Sequence, residues 1–365
     1  MLTNRIRVGI IGVGNCFSAL LQGIEYYKKT KNQITGVIHE KIQNYSIFDI
    51  DFVIGFDVGK NKINKSLKDA IYQNPNLVNW IPRSKMPHMD SIVYQSPILD
   101  GVGKWVKDKV KPTENFKSLN LLTKEIKKAL KQTKTEILVS YLPVGSDQAT
   151  KFWAQLCLDT NIAFINCVPS FIASDEKWAQ KFIKKNIPII GDDIKGQIGA
   201  TILHRTLAKL CNDRGTKIQN MYQLNVGGNT DFLNMREYER LKSKKISKTE
   251  SVQSQLDEEL HEDKIHVGPS DYIPFLENNK IMFLRIVGNQ WANIPYTIET
   301  QLKVDDKANS AGIVVDAIRL AKLSLDRKIG GPILPACAYL MKHPPKQLSD
   351  HDAVIYLQHF IDNVK

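Results

Sequence analysis

Arg5-Ile-Arg-Val-Gly-Ile-Ile-Gly12-Val-Gly14-Asn15-Cys16 is the stretch on which the fold turns. Its short apolar run ending in glycine suits a parallel strand buried on both faces. Residues 15–27 follow with Phe17, Leu20, Leu21 and Ile24 at helical spacing. Glycines at such a strand-to-helix junction allow a tight turn and bring the backbone close to a pyrophosphate at the helix N-terminus. Phe17 stands where a third glycine is usual, so the placement of Gly12, Gly14, Asn15 and Cys16 carries the reading more than the motif does. Asp57 ends a second strand (51–57), where its carboxylate would bond an adenosine ribose and favour NAD over the 2′-phosphorylated form. A polar insertion at 28–50 accounts for its distance from the glycines. The competing reading is a structural turn and a strand-end acid.

Outward from this unit, strands are expected at 136–143, 162–169 and 188–193, with helices at 116–132 and 146–159 between them. This alternation predicts a doubly wound α/β domain. The pattern then changes. A helix (199–214), a strand (216–226), the turn Gly227-Gly228-Asn229, a polar lysine-rich region (242–264), two alternating strands (280–287 and 296–304) and a helix (311–325) follow. The expected fold class is α/β: an NAD-binding Rossmann-like domain from residues 1–197 and 305–365. A second α+β catalytic and oligomerisation domain (198–304) is inserted before the C-terminal helices.

Composition narrows the class. The opening M-L-T-N-R-I-R-V-G-I leads straight into a strand and leaves no room for a secretory signal. No run approaches the ~20 apolar residues of a membrane span. Five cysteines are scattered singly, without a C-x-x-C pair. A reduced, cytoplasmic protein is the expectation. The formal net charge of +12 could serve nucleic acid, but aromatics do not interleave with the lysines as base stacking requires. Anionic small substrates explain the charge as well, and neither a nucleic acid nor a membrane is expected as a partner.

Two further constellations stand out. Gly191-Asp192-Asp193-Ile194-Lys195 follows a strand, so its acids would project at the carboxyl edge of the sheet, where α/β ligands bind. They could hold a divalent cation, orient a lysine, or cap the helix beginning near Gly199. Residues 242–248 read K-S-K-K-I-S-K, four lysines in seven, a pattern that alone is most often a solvated face. Lys244 and Lys248, at i and i+4, share one side if the segment is helical. Lys280, Asp306 and Lys342 are isolated. No His/Cys metal cluster, Ser-His-Asp order or P-loop is present, and His204 and His266 read as structural or exposed.

The chain resembles the myo-inositol-1-phosphate synthase family in its shorter actinobacterial and archaeal form. Matching stretches include V-G-I-I-G-V-G-N-C, L-V-S-Y-L-P-V-G-S, G-D-D-I-K-G-Q-I-G-A-T, L-N-V-G-G-N-T-D-F-L-N-M, S-K-K-I-S-K, H-V-G-P-S-D and I-G-G-P-I-L-P-A-C-A-Y-L-M-K-H-P-P. They span nearly the full length. The resemblance implies conversion of D-glucose 6-phosphate to 1L-myo-inositol 1-phosphate, with NAD that is regenerated in each turnover. Its steps are oxidation at C5, enolisation at C6, aldol attack on C1 and return of the hydride. It implies catalytic roles for Lys244, Lys248, Lys280, Lys342, Asp193 and Asp306. It adds Ser140, Asp192 and Lys195 to the cofactor contacts, and assigns phosphate contacts to Lys244, Gly228, Asn229 and Ser310. Lys248 is expected to shuttle the C5 hydroxyl proton and Lys280 to meet the C1 oxygen. Lys242 and Lys245 should face solvent. The substrate phosphate itself is a candidate base toward C6.

The family forms homotetramers through its second-domain sheet. It varies in its use of a divalent or monovalent cation, which Asp193 and Asp306 would assist. Two departures occur: Asn278 stands where relatives often carry an acid, leaving Glu277 as a substitute, and Asp305-Asp306-Lys307-Ala308 replaces a more apolar or Ser-Pro version. The alternatives are a net NAD-dependent dehydrogenase of a small amino or hydroxy acid, and a basic nucleic-acid-binding protein that retains a nucleotide fold.

Overall fold

The structure is a computed structural model that describes residues 5–30, 32–113 and 117–363, without the side chains of residues 269 and 270. In chain order the strands are β1 (Ile6–Ile11), β2 (Lys41–Ile42), β3 (Tyr45–Ser46), β4 (Ile50–Asp57), β5 (Val93–Gln95), β6 (Ile137–Ser140), β7 (Ala163–Asn166), β8 (Pro188–Ile190), β9 (Lys217–Gly227), β10 (Ile265–Tyr272), β11 (Asn279–Asn289), β12 (Pro295–Asp305) and β13 (Gly331–Pro332). Seven of them form one parallel sheet in the order β13-β8-β7-β6-β1-β4-β5. The α/β class with a Rossmann-like sheet is therefore present.

The apolar run of β1, interrupted only by Arg7, has a direct cause: both faces of this interior strand are covered. Ile6, Val8 and Ile10 pack with Phe17, Leu20 and Leu21 of helix Asn15–Thr30 and with Val314 and Ile318 of helix Ala308–Asp326. Ile11 faces the opposite layer, with Leu122, Ile126 and Trp153 from helices Leu119–Gln132 and Asp147–Thr160. No helix of the described residues is long and apolar enough to cross a membrane.

The second sheet runs β10-β9-β11-β12, with β10 parallel to β9 and the other pairs antiparallel. Its strands alternate because only one face is covered. Met221, Met282, Leu284 and Ile286 lie beneath helices Ala200–Asp213 and Lys242–Gln253, each such burial contributing roughly 1.5–3 kcal/mol. Tyr222 and Phe283, on the other face, are exposed.

Strands β2, β3, β5, β10 and β13 were not expected. Four are very short, and β10 carries Gly268 and Pro269 in an edge position where proline is tolerated. The polar region expected at 242–264 contains the helix Lys242–Gln253. The helix expected from Phe116 begins at Leu119, with Ser118 accepting a hydrogen bond from Leu121 N; Phe116 itself and residues 1–4 lie outside the described residues.

The chain crosses from the first sheet to the second after β8, through residues 191–199, and returns after β12, through residues 305–308. Both crossings line the same cavity, and this is what positions the site.

Candidate active site

One wall of the cavity is the glycine turn. Gly12 adopts φ +90°, and a Cβ there would lie 2.8 Å from Tyr141 O, so glycine is required on two counts. A Cβ on Gly14 would meet nothing within 4 Å, leaving the backbone open toward the cavity at the start of helix Asn15–Thr30. A dinucleotide's pyrophosphate needs such a cradle, and the residues present fit NAD. Asp57 also lines the cavity. Its Oδ2 accepts from Val13 N at 2.9 Å and its Oδ1 from Gly59 N at 2.8 Å, so it first clamps the turn and then presents its remaining lone pairs. Asn15 Oδ1 accepts from Leu77 N and Val78 N, fixing the loop opposite.

The other wall is a charge cluster. Helix Lys242–Gln253 turns Lys244, Ser247 and Lys248 inward while Lys242 and Lys245 are exposed, as the i, i+4 spacing predicts. Lys342 Nζ donates to Asp193 Oδ1 at 2.9 Å and to Ile194 O. Ser247 Oγ donates to the other oxygen, Asp193 Oδ2, at 2.7 Å. Lys244 Nζ lies 3.3 Å from Asp231 Oδ2, and Lys280 Nζ 3.5 Å from Asp306 Oδ1. Lys307 Nζ donates to Asp306 Oδ2 at 3.0 Å. Five lysines thus face three aspartates, a net cationic site suited to a phosphorylated substrate.

Electrostatics separates these lysines. Burial alone would lower the pKa of Lys244, but Asp231, Asp193 and Asp306 outweigh it and hold Lys244 above the ordinary lysine value. Burial lowers Lys280; Asp306 offsets this in part, and Lys342 and Lys244 add to it. Lys248 moves strongly in the opposite direction to Lys244. It is 5% exposed, makes no hydrogen bond or ion pair among the described residues, and is pushed well below the ordinary value by burial and then by Lys244, Lys280 and Lys342. The acids move the other way. Burial would raise Asp193 and Asp306, but their lysine partners prevail and keep both ionised.

The Lys248 shift has a consequence for stability. The folded state releases this proton more readily than the unfolded chain, so between the depressed pKa and about 10.5 the unfolded state binds more protons, and stability rises with pH. Lys248→Met should remove that part of the slope and keep or raise Tm near neutral pH, because a buried, unpaired lysine costs free energy whether it keeps its charge or gives up its proton. Thermal melts at about pH 7 and about pH 9 check this.

Several expected site residues sit elsewhere. Asp192 does not line the cavity: its carboxylate accepts from Ile172 N, Ala173 N, Ser174 N, Ser174 Oγ and Asn166 Nδ2, and so anchors the 172–174 loop. Lys195 lines the cavity, but its ammonium turns away to Ala338 O (2.9 Å) and Asp350 Oδ1 (3.0 Å), and burial and Arg205 bring its pKa down to about 8. Ser140 is buried, with its hydroxyl unpaired among the described residues. Gly228 packs against residues 273–277, and Asn229 caps helix Thr230–Asn234 through Asp231 N and Phe232 N. Neither reaches the cavity; together they build the turn that presents Asp231. Ser310 does line it. Glu277 is exposed, so the acid facing Lys280 is Asp306. His204 is buried against Gln223 and Met221, and His266 is exposed.

Asp231 and Lys307 were missed. Their only signals were adjacency: Asp231 closes G-G-N-T-D, and Lys307 follows Asp306.

A family model described as Myo-inositol-1-phosphate synthase matches residues 199–307. An inositol-3-phosphate synthase of Mycobacterium tuberculosis is 46% identical over 361 residues, covering 98% of this chain and 96% of that protein. The inositol-3-phosphate synthase of Mycolicibacterium smegmatis is 47% identical over 363 residues, covering 98% of each. Among solved structures, a myo-inositol-1-phosphate synthase-related protein from Thermotoga maritima has the same fold, with a TM-score of 0.83, 23% identity and 98% coverage of both chains. With this similarity over nearly its whole length, the chain belongs to the myo-inositol-1-phosphate synthase family.

Proposed function

We propose that the chain is an inositol-3-phosphate synthase that turns D-glucose 6-phosphate into 1L-myo-inositol 1-phosphate without net redox change. The observation that carries the reading is Lys248, desolvated and unpaired among other lysines in the cavity that also holds the glycine turn.

NAD held by Gly12, Gly14, Asn15 and Asp57 would supply the hydride acceptor for C5 and, once reduced, the hydride donor for the return step. Lys248, whose surroundings favour loss of its proton, accepts the C5 hydroxyl proton in its neutral form and gives it back on re-reduction. Lys244 and Ser310 take the phosphate dianion, whose own oxygen removes the C6 proton. Lys280, with its lowered pKa, donates a proton to the C1 oxygen as the ring closes. Asp193 holds Lys342 beside the developing enolate. These steps need no catalytic histidine.

The reading extends to a cytoplasmic homotetramer. All five cysteines are free, as a reducing compartment favours, and the uncovered face of the second sheet presents Tyr222 and Phe283 for assembly. A net dehydrogenase has no comparable use for so many lysines about one cavity.

Incubation with NAD and glucose 6-phosphate should yield inositol phosphate without accumulating NADH. Stoichiometric NADH release, or the absence of a cyclic product, would overturn the reading.

A further inference from the structure

The acids expected to assist a cation are already occupied. Asp193 is taken by Lys342 at Oδ1 (2.9 Å) and Ser247 at Oδ2 (2.7 Å), and Asp306 by Lys280 at Oδ1 (3.5 Å) and Lys307 at Oδ2 (3.0 Å). Asp231 Oδ2 meets Lys244 at 3.3 Å. Among the described residues no group of three or more His, Cys, Asp or Glu could hold a metal ion. Divalent cations require several free oxygen ligands, and here the oxygens point at ammonium groups that would repel a cation. The residues present do not fit a metal.

A cation is nevertheless built in. Lys307 is 5% exposed, donates to Asp306 Oδ2 at 3.0 Å, and lines the same cavity as Asp231, Gly12, Gly14 and Cys16 at the start of the first helix, so it stands where the glycine turn and the acid pair share one cavity. Its backbone is held in place: Asp305 Oδ1 accepts from both Lys307 N and Ala308 N at 2.9 Å. This differs from the other lysines, which approach from the second sheet and its helix or from the C-terminal segment. Lys307 lies on the return crossing itself.

We infer that Lys307 is the resident cation of this site: its ammonium neutralises Asp306 and Asp231 beside the cofactor and makes turnover independent of any added metal or monovalent cation. The inference rests on the functional reading above.

The test uses NAD-loaded wild-type protein, treated with chelator and transferred to a buffer whose only cation is tetramethylammonium. Inositol phosphate formation should stay within about twofold of the rate with added potassium, ammonium, magnesium or manganese. Lys307→Met should lose ~100-fold in the same buffer and regain ~10-fold with ammonium ions, which can take the vacated place. Calorimetric titration of the NAD-loaded wild type with manganese should show no stoichiometric binding. A wild type that turns over only with an added cation would overturn the inference and leave the functional reading intact. Stoichiometric manganese binding would also overturn it, as would a Lys307→Met variant as active as wild type without added cation. A wild type that forms no inositol phosphate in any buffer would sink the functional reading, and the calorimetry would still decide whether the site holds a metal.

Discussion

Lys248→Ala should lower kcat by ~10³-fold while the protein stays folded, because general acid–base groups contribute roughly 10²–10⁴-fold. The same residue sets the pH dependence. In the proposed mechanism its neutral form is the competent base, and its pKa lies well below 10.5 through burial and the neighbouring lysines. Turnover should therefore rise with pH through that depressed value and level off well before the ordinary lysine range. Lys248→Arg should fail to restore activity, since a guanidinium keeps its proton at any working pH. The exposed Lys245 is the control, and Lys245→Ala should stay within about twofold of wild type. If Lys245→Ala is crippling and Lys248→Ala is not, the assignment of the helix faces is wrong.

Asp306→Asn should be nearly as damaging and for a different reason. The carboxylate touches Lys280 at one oxygen and Lys307 at the other, and those lysines hold its pKa far below the usual range although burial alone would raise it. Removing its charge leaves two buried ammonium groups without their partner, a change that costs about 3–5 kcal/mol when a buried pair is broken. A lowered Tm is the first expected result. The second is a ~10²–10³-fold loss of kcat, because Lys280 would be displaced from the developing C1 oxyanion. Lys280 should also release its proton at still lower pH, since its main favourable neighbour has gone. A variant with unchanged Tm and full activity would show that the Lys280–Asp306–Lys307 triad is incidental.

Much of this was legible from residue order. The parallel core was readable because β1 and β4 are apolar on both faces, a pattern that few other environments produce. The inward pair Lys244 and Lys248 followed from spacing once the segment is helical. What could not be read was direction. Asp192 and Asp193 are neighbours, yet one carboxylate gathers the amides of the 172–174 loop while the other faces Lys342 and Ser247. Lys195 is near the site but turns to Asp350 because a buried ammonium goes to the closest acid and carbonyl. Asp231 and Lys307 were hidden for the same reason. Each is brought to the cavity by a chain crossing or a turn whose geometry depends on contacts more than 40 residues away in sequence, as between Gly228 N and Glu277 O.

In the proposed cycle one cavity removes a hydride from the substrate and gives it back. Turnover of D-glucose 6-phosphate carrying deuterium at C5, with NAD present, tests it most directly. The expected product is inositol phosphate that retains the deuterium at the corresponding carbon, with no net NADH. Deuterium found in accumulated NADH, or lost to solvent from the product, would contradict it.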